Sequence, residues 1–203
     1  MKKTEIVWRV LVDEALDGHR RWANAADLAW QAGCHPQLAY KALRRPIEIG
    51  AVTKQPGGGF SVVDPERVLM LLAAQRKLGG SGVATSIETA ERLIRDVSFY
   101  AVGGSRAAMH HLGGANTVSD HARALLYVPE DTDLSTLPPG DSALVLLADE
   151  RSLRSWKDGY TSVAQTCADL FAQPGWQASE FRRALWRELF AVDDWSRVEA
   201  TGA

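Results

Sequence analysis

Two short helical segments separated by only three residues constrain the fold of this chain more than any other feature. The first segment begins after Asn24, whose side chain can cap a helix, and it ends at Gly33, which supplies a left-handed residue. Pro36 then starts the next helix, because its fixed φ suits a first-turn position. The connection Gly33-Cys34-His35 therefore has the length that joins the two helices of a helix-turn-helix.

The helix that begins at Pro36 presents a polar outer face. We predict it over about residues 36–45, because apolar side chains recur at helical spacing and must face inward: Leu38, Ala39, Ala42 and Leu43. The residues left on the outside are Gln37, Tyr40, Lys41, Arg44 and Arg45. Guanidinium forks suit guanine edges or phosphates, an amide suits adenine, and a phenol suits a phosphate. The pattern indicates a helix for the DNA major groove, and an ordinary solvated face is the other interpretation.

A hairpin is predicted directly after this helix. Residues 49–54 and 60–63 have strand patterns, and the turn Gln55-Pro56-Gly57-Gly58-Gly59 separates them. Asp64 can then cap a closing helix. This order of elements predicts a winged helix-turn-helix DNA-binding domain over residues 1–78, although some winged helices bind proteins instead. Lys54 at the base of the hairpin, and Gly57 and Gly58 at its tip, are expected to lie close to a sugar-phosphate backbone.

The charge distribution favours a polyanionic partner for the first part of the chain. The net charge is only -2, but residues 1–82 carry 12 Lys and Arg against 8 Asp and Glu, whereas residues 83–203 carry 11 against 17. The balances are thus +4 and -6. A basic segment hidden in a neutral total suggests that this segment meets nucleic acid and that the rest meets something else.

The composition excludes several protein classes. With 46% hydrophobic and 24% charged residues, the chain can bury a core, so it is not a disordered or fibrous protein. No apolar run approaches the roughly 20 residues that cross a bilayer, and no secretory segment is recognisable. The two cysteines, Cys34 and Cys167, fit no disulfide or ligand spacing. We therefore expect a cytoplasmic protein with no membrane association.

The pattern of the second half predicts a small mixed α/β domain over residues 83–203. A linker at residues 79–82, with the composition Gly-Gly-Ser-Gly, is expected before it. The expected fold class of the whole chain is therefore α+β. Ser86 can cap a first helix, and Gly113-Gly114 can close a second. The remaining elements are strands at 97–102, 124–128 and 143–147, and helices at 162–172 and 177–190. The continuous apolar strands indicate a sheet that is covered on both faces.

An enzymatic function is the less favoured alternative. Gly104-Ser105 after a strand is similar to the phosphate-binding pair of nucleotidyltransferases, which also need two carboxylates spaced Asp-x-Asp for magnesium. Asp131-Thr132-Asp133 has that spacing, but it follows its strand and lies more than 25 residues from Ser105. We therefore expect no catalytic residue, no cofactor and no metal site.

Four segments of the second half occur in an order similar to the AbiEi-type antitoxins: Tyr100–Ala108, Leu126–Asp131, Ser162–Leu170 and Trp176–Leu185. The most specific pattern is Gln165, Asp169 and Leu170 on one helix. The resemblance implies a bacterial type IV toxin–antitoxin regulator with an N-terminal winged helix and a C-terminal antitoxin domain. Pro174-Gly175-Trp176 stands where the family is expected to have a charged loop, so no toxin contact is assigned.

Together these patterns predict a sequence-specific transcriptional repressor. The resemblance implies that it binds repeats in its own promoter, with oligomers possible on double-stranded DNA, and that it counters a nucleotidyltransferase toxin. A winged-helix regulator whose second domain senses a small molecule is the other interpretation of the same DNA-binding half.

Overall fold

The computed structural model describes residues 3–79, 82–114 and 123–190. These residues form a mixed α+β structure, as the sequence predicts. They group into two compact units. The first unit is Lys2–Gln75 with the end of the last described helix from Trp186, and the second unit is Arg76–Leu185.

The described part of the first unit contains the helices α1 (Lys3–Leu16), α2 (Ala25–Gln31), α3 (Pro36–Glu48) and α4 (Pro65–Gln75). Asn24 begins α2 as predicted, because its Oδ1 accepts the backbone N–H groups of Ala26 and Asp27 at 2.8 and 3.0 Å. Gly33 has φ 62° at the end of α2, and Pro36 occupies the first turn of α3. The predicted short connection between two helices is therefore present.

The prediction that α3 ends near residue 45 is wrong, because the helix continues through Pro46 to Glu48. A proline inside a helix has no N–H for the carbonyl four residues earlier, which here belongs to Ala42. The indole Nε1 of Trp8 on α1 donates to that carbonyl at 2.8 Å, in a buried position. A side chain 34 positions away thus replaces the missing backbone donor, and the helix is not broken.

A three-stranded antiparallel sheet completes the first unit: β1 (Arg21–Trp22), β2 (Val52–Lys54) and β3 (Phe60–Val62), in the order β1-β3-β2. The pair β2–β3 is the predicted hairpin, with shorter strands than the sequence suggests. β1 was not predicted. It lies so close to the hairpin that a Cβ on Gly59, which has φ +79°, would come within 2.2 Å of the Trp22 carbonyl oxygen. Only glycine suits that position.

The core of the first unit lies between α1, α3, α4 and the sheet. The predicted inward residues Ala39, Ala42 and Leu43 of α3 are buried, whereas Leu38 is only half-buried. Other buried members include Val7, Leu11, Leu28, Val68, Leu69 and Leu72. Because this face of α3 is buried, the polar face of the same helix is directed outward.

The second unit is a four-stranded sheet in the order β4-β7-β6-β5, with helices around it. Strands β6 and β7 are parallel, and the outer pairs are antiparallel. The elements in chain order are β4 (Gly82–Thr85), α5 (Ile87–Asp96), β5 (Ala101–Gly103), α6 (Gly104–His111), β6 (Ala124–Pro129), β7 (Ala143–Ala148), α7 (Glu150–Ser155), α8 (Val163–Ala172) and α9 (Trp176–Leu189). Alternate residues of β6 belong to two separate apolar clusters, so both faces of the strand are covered, as predicted.

Two predictions for the second half need correction, and two elements were missed. Strand β5 starts at Ala101 instead of residue 97, because its register would place residue 99 opposite Pro129, which has no N–H to donate. The predicted linker 79–82 ends inside a strand, since Gly82 is the first residue of β4; residues 80 and 81 lie outside the described residues. A Cβ on Gly82 would come within 2.2 Å of the Val145 carbonyl oxygen, so this glycine serves close strand approach. Strand β4 and helix α7 were not predicted.

Candidate nucleic-acid interface

The outer face of α3 carries every side chain that the sequence assigns to it. Gln37, Tyr40, Lys41, Arg44 and Arg45 are all exposed, and Tyr40 is 62% exposed despite its aromatic ring. An exposed ring of this size has an apolar body and a hydroxyl that can contact a ligand. The structure thus brings the five predicted residues to one side of one helix.

The hairpin tip is open. Lys54 is the last residue of β2 and is exposed, and Gly57 and Gly58 follow in the turn. A Cβ added to either of these glycines would meet nothing within 4 Å. Backbone hydrogen bonds Gln55 N–H to Gly59 O (3.1 Å) and Gly58 N–H to Gln55 O (3.0 Å) hold the turn. The tip is therefore ordered by its backbone and free of bulky side chains, as the sequence predicts.

A groove of about 600 Å3 separates α3 from the hairpin. Among the predicted residues, Tyr40, Arg44 and Lys54 line it, whereas Gln37, Lys41 and Arg45 do not, and neither do Gly57 and Gly58. Its other lining residues form an apolar floor with two polar additions: Ala23, Asn24, Ala25, Leu43, Ile47, Glu48, Gly59 and Phe60. The structure therefore divides the predicted residues between a groove on one flank of α3 and the rest of its outer face.

The cations of this surface differ in their partners. Arg45 Nη1 donates to Glu48 Oε2 at 3.2 Å, and both side chains are more than half exposed. Lys41, Arg44 and Lys54 make neither an ion pair nor a side-chain hydrogen bond with the described residues. All three side chains are exposed, so their donors are available to an anionic ligand.

Sequence inspection missed Glu48, because the predicted helix stopped before it. At i+3 from Arg45 and i+4 from Arg44 it falls on the same outer face once α3 extends beyond Pro46. Asn24 was assigned only a capping role, yet it also lines the groove. The signal that could have found Glu48 is this helical spacing.

The Gly104-Ser105 pair of the second unit does not form an open phosphate site. Gly104 has φ +61°, and a Cβ there would lie 2.9 Å from Gln173 Oε1. Ser105 is 2% exposed. The start of α6 is thus covered by the Gln173 and Leu125 side chains, and a nucleotide phosphate would have to displace them.

One carboxylate of the Asp131-Thr132-Asp133 segment is hydrogen-bonded to a nearby residue. Asp133 accepts the Ser135 N–H and hydroxyl at 2.9 and 2.6 Å, and these hydrogen bonds lower the pKa of its carboxyl group. No group of three or more His, Cys, Asp or Glu side chains suitable for a metal occurs within residues 3–79, 82–114 and 123–190.

The Gln165-Asp169 pattern that carries the family resemblance forms the polar centre of the second unit. Arg76 Nε lies 2.7 Å from Asp169 Oδ1, and Gln165 Nε2 and the Tyr127 hydroxyl donate to the same carboxylate at 2.9 and 2.6 Å. Burial, and then the Asp169 charge, raise the pKa of Tyr127, so this phenol stays protonated. Every member is nearly or fully buried, so the cluster stabilises the fold rather than contacting a partner.

Comparison with known proteins finds no match to any family model, any curated protein or any solved structure. None of the described helices is both long and apolar enough to span a bilayer. Any function of the first unit must therefore be inferred from its own residues and geometry.

Proposed function

We propose that this protein is a sequence-specific DNA-binding transcriptional repressor, and that its first unit is a winged helix. The order α1-β1-α2-α3-β2-β3-α4, with the short connection between α2 and α3, supports this proposal. The observation that carries it is the outer face of α3 beside the hairpin, where Lys41, Arg44 and Lys54 have no carboxylate partner among the described residues.

In this proposal α3 lies in the major groove, which is wide enough to admit a helix. Gln37 and Lys41 face base edges, and the hairpin follows the adjacent sugar-phosphate backbone with Lys54 and the Gly57-Gly58 tip. The apolar floor of the groove between α3 and the hairpin suits deoxyribose, while the Tyr40 hydroxyl, Arg44 and Lys54 suit phosphate oxygens.

The test is a fluorescence anisotropy titration on a duplex from the region upstream of the protein's own gene. Lys54→Ala is expected to weaken binding and to reduce the slope of log K against log salt by about 1, because one phosphate contact is lost. Arg183→Ala is the control, since Arg183 is another exposed cation, on α9, and is paired with Glu180 at 2.7 Å. Equal effects of the two substitutions, or no binding by the unmodified protein, would contradict the proposal.

The resemblance to AbiEi-type antitoxins extends the proposal to the second unit. In that case the protein represses its own operon and counters a nucleotidyltransferase toxin encoded beside it. The test is co-expression with the neighbouring reading frame, where this protein is expected to restore the growth that the neighbour's product arrests. No rescue of growth, or a neighbour with no nucleotidyltransferase motif, would remove the toxin from the proposal and leave the repressor.

A groove in the second unit favours a small-molecule-responsive regulator as a second candidate. It holds about 470 Å3 and has aromatic walls at Phe99, Tyr100 and Trp156. The Arg154 guanidinium carbon lies 4.5 Å from the Phe99 ring centroid at the same groove. Aromatic walls beside one cation suit a planar ligand. A thermal-shift screen of small molecules on the full chain, repeated on Tyr100→Ala, tests this candidate. A compound that raises the melting temperature of the unmodified protein but not of Tyr100→Ala would favour it over the antitoxin.

A further inference from the structure

We infer that the two adjacent arginines of α3 have different roles on DNA: Arg45, held by Glu48, reads a guanine, whereas Arg44 binds backbone phosphate. This inference rests on the proposed function and assigns specificity to one residue of the same surface. The sequence alone treats the two arginines as equivalent, and the structure separates them by their partners.

The position of Arg44 favours phosphate. It lines the groove between α3 and the hairpin with Tyr40 and Lys54, so three donors face one concave surface that also holds the Glu48 carboxylate, whose ion pair is with Arg45 and not with Arg44. Arg44 and Lys54 have no ion-pair partner among the described residues, and their full positive charges therefore attract a polyanion from a distance. The backbone of a duplex carries regularly spaced phosphates, so it suits a surface with several such donors.

The ion pair of Arg45 makes it a poor phosphate ligand. With the Glu48 carboxylate at 3.2 Å the pair is neutral as a whole, and its negative member would face an approaching phosphate. Base edges carry only partial charges, so this penalty is smaller for them than for a phosphate. Only Nη1 of the guanidinium is engaged by Glu48, which leaves the other N–H groups of the fork for the O6 and N7 acceptors of guanine.

The ion pair with Glu48 also directs the Arg45 guanidinium toward the middle of the exposed face of α3. At about 100° per residue, Glu48 lies about 60° back from Arg45, near the line through Gln37, Lys41 and Arg44. The hydrogen bond to Glu48 draws the exposed guanidinium in that direction and restricts its rotamers. A fork that is oriented before binding loses less conformational freedom when it meets a base.

The experiment compares binding to two duplexes. One is enriched by the unmodified protein from a randomised library, and the other carries the same base pairs with the enriched motif shuffled. Arg45→Lys keeps the charge and loses the fork, so we expect the affinity ratio of the two duplexes to fall by about 5- to 150-fold with an unchanged salt slope. Glu48→Gln should lower the ratio while it raises the affinity for the shuffled duplex, because a negative charge is removed.

Arg44→Ala is expected to weaken binding to both duplexes equally and to reduce the salt slope by about 1. Arg183→Ala should change neither quantity, and circular dichroism verifies that each exposed variant is folded. A ratio preserved in Arg45→Lys, or lost in Arg44→Ala, would overturn the division of roles while DNA binding itself stands. If the unmodified protein enriches no motif, the proposed function fails, and this inference fails with it.

Discussion

The exposed cations of α3 and the hairpin contrast with the buried Arg76 of the second unit. On α3 and the hairpin, Lys41, Arg44 and Lys54 are exposed and lack partners among the described residues. In the second unit, Arg76 is buried against a fully buried Asp169 and lies within hydrogen-bonding distance of Tyr127. A buried charge must be satisfied inside the protein, whereas an exposed one keeps its donors for a ligand. The cations of α3 and the hairpin are therefore available to a ligand, whereas the buried Arg76 is not.

The largest expected effect comes from breaking the buried pair. Asp169→Ala leaves the Arg76 guanidinium uncompensated and removes the acceptor of Tyr127 and Gln165, so it should lower the free energy of unfolding by about 3–5 kcal/mol. Urea unfolding followed by tryptophan fluorescence measures this change.

The matched control is Asp133→Ala, because Asp133 is also a hydrogen-bonded carboxylate but is bonded only to nearby Ser135 in an exposed segment. Its effect should stay within about 0.5 kcal/mol. Similar losses in the two variants would mean that the buried cluster does not stabilise the second unit as described.

A smaller effect is expected from a neutral buried hydrogen bond of the first unit. Trp8→Phe removes the donor to the Ala42 carbonyl, and Pro46 cannot replace it, so the free energy of unfolding should fall by about 1–3 kcal/mol. In a Pro46→Ala background the backbone N–H returns, and the same substitution should have a smaller effect. Equal losses in both backgrounds, measured by urea unfolding, would refute the compensation.

Local signals explain which parts of the fold the sequence could predict. Asn24, Gly33 and Pro36 act on their immediate neighbours, so α2, the connection and the start of α3 follow from them. The hairpin likewise forms between adjacent segments.

The missed features depend on distant partners. Strand β1 has only two residues and pairs with the distant strand β3. In α3, the donor that Pro46 lacks comes from Trp8, 34 positions from Ala42. For the candidate interface, helical spacing predicted which side chains are exposed. It could not predict the groove or the different partners of Arg44 and Arg45, because these depend on the hairpin position and on Glu48.

The smallest expected effect concerns His111. Its part-buried side chain is intermediate between the exposed cations of α3 and the buried Arg76–Asp169 pair. Its Nε2 is 2.8 Å from the Thr161 carbonyl oxygen, and burial lowers its pKa below the usual 6.5 despite that acceptor. The unfolded chain therefore binds a proton at His111 more readily than the folded protein does. The contribution of neutral His111 to stability is fully present above pH 6.5, and it is lost as pH falls through the lower pKa of the folded protein.

Thermal unfolding of the protein between pH 7 and pH 5 tests this expectation. His111→Gln should flatten the acid loss, because the amide keeps a donor for the carbonyl and does not titrate. The neighbouring His110→Gln should retain the loss. An identical pH profile for the unmodified protein and His111→Gln would show that His111 does not contribute.

Hydrogen–deuterium exchange of the full chain, with and without the duplex that it enriches, tests the central contrast most directly. The account predicts slower exchange in α3 and in the hairpin residues 54–60, with unchanged exchange across the buried cluster of the second unit. Protection confined to residues 76–185, with α3 and the hairpin unaffected, would contradict it.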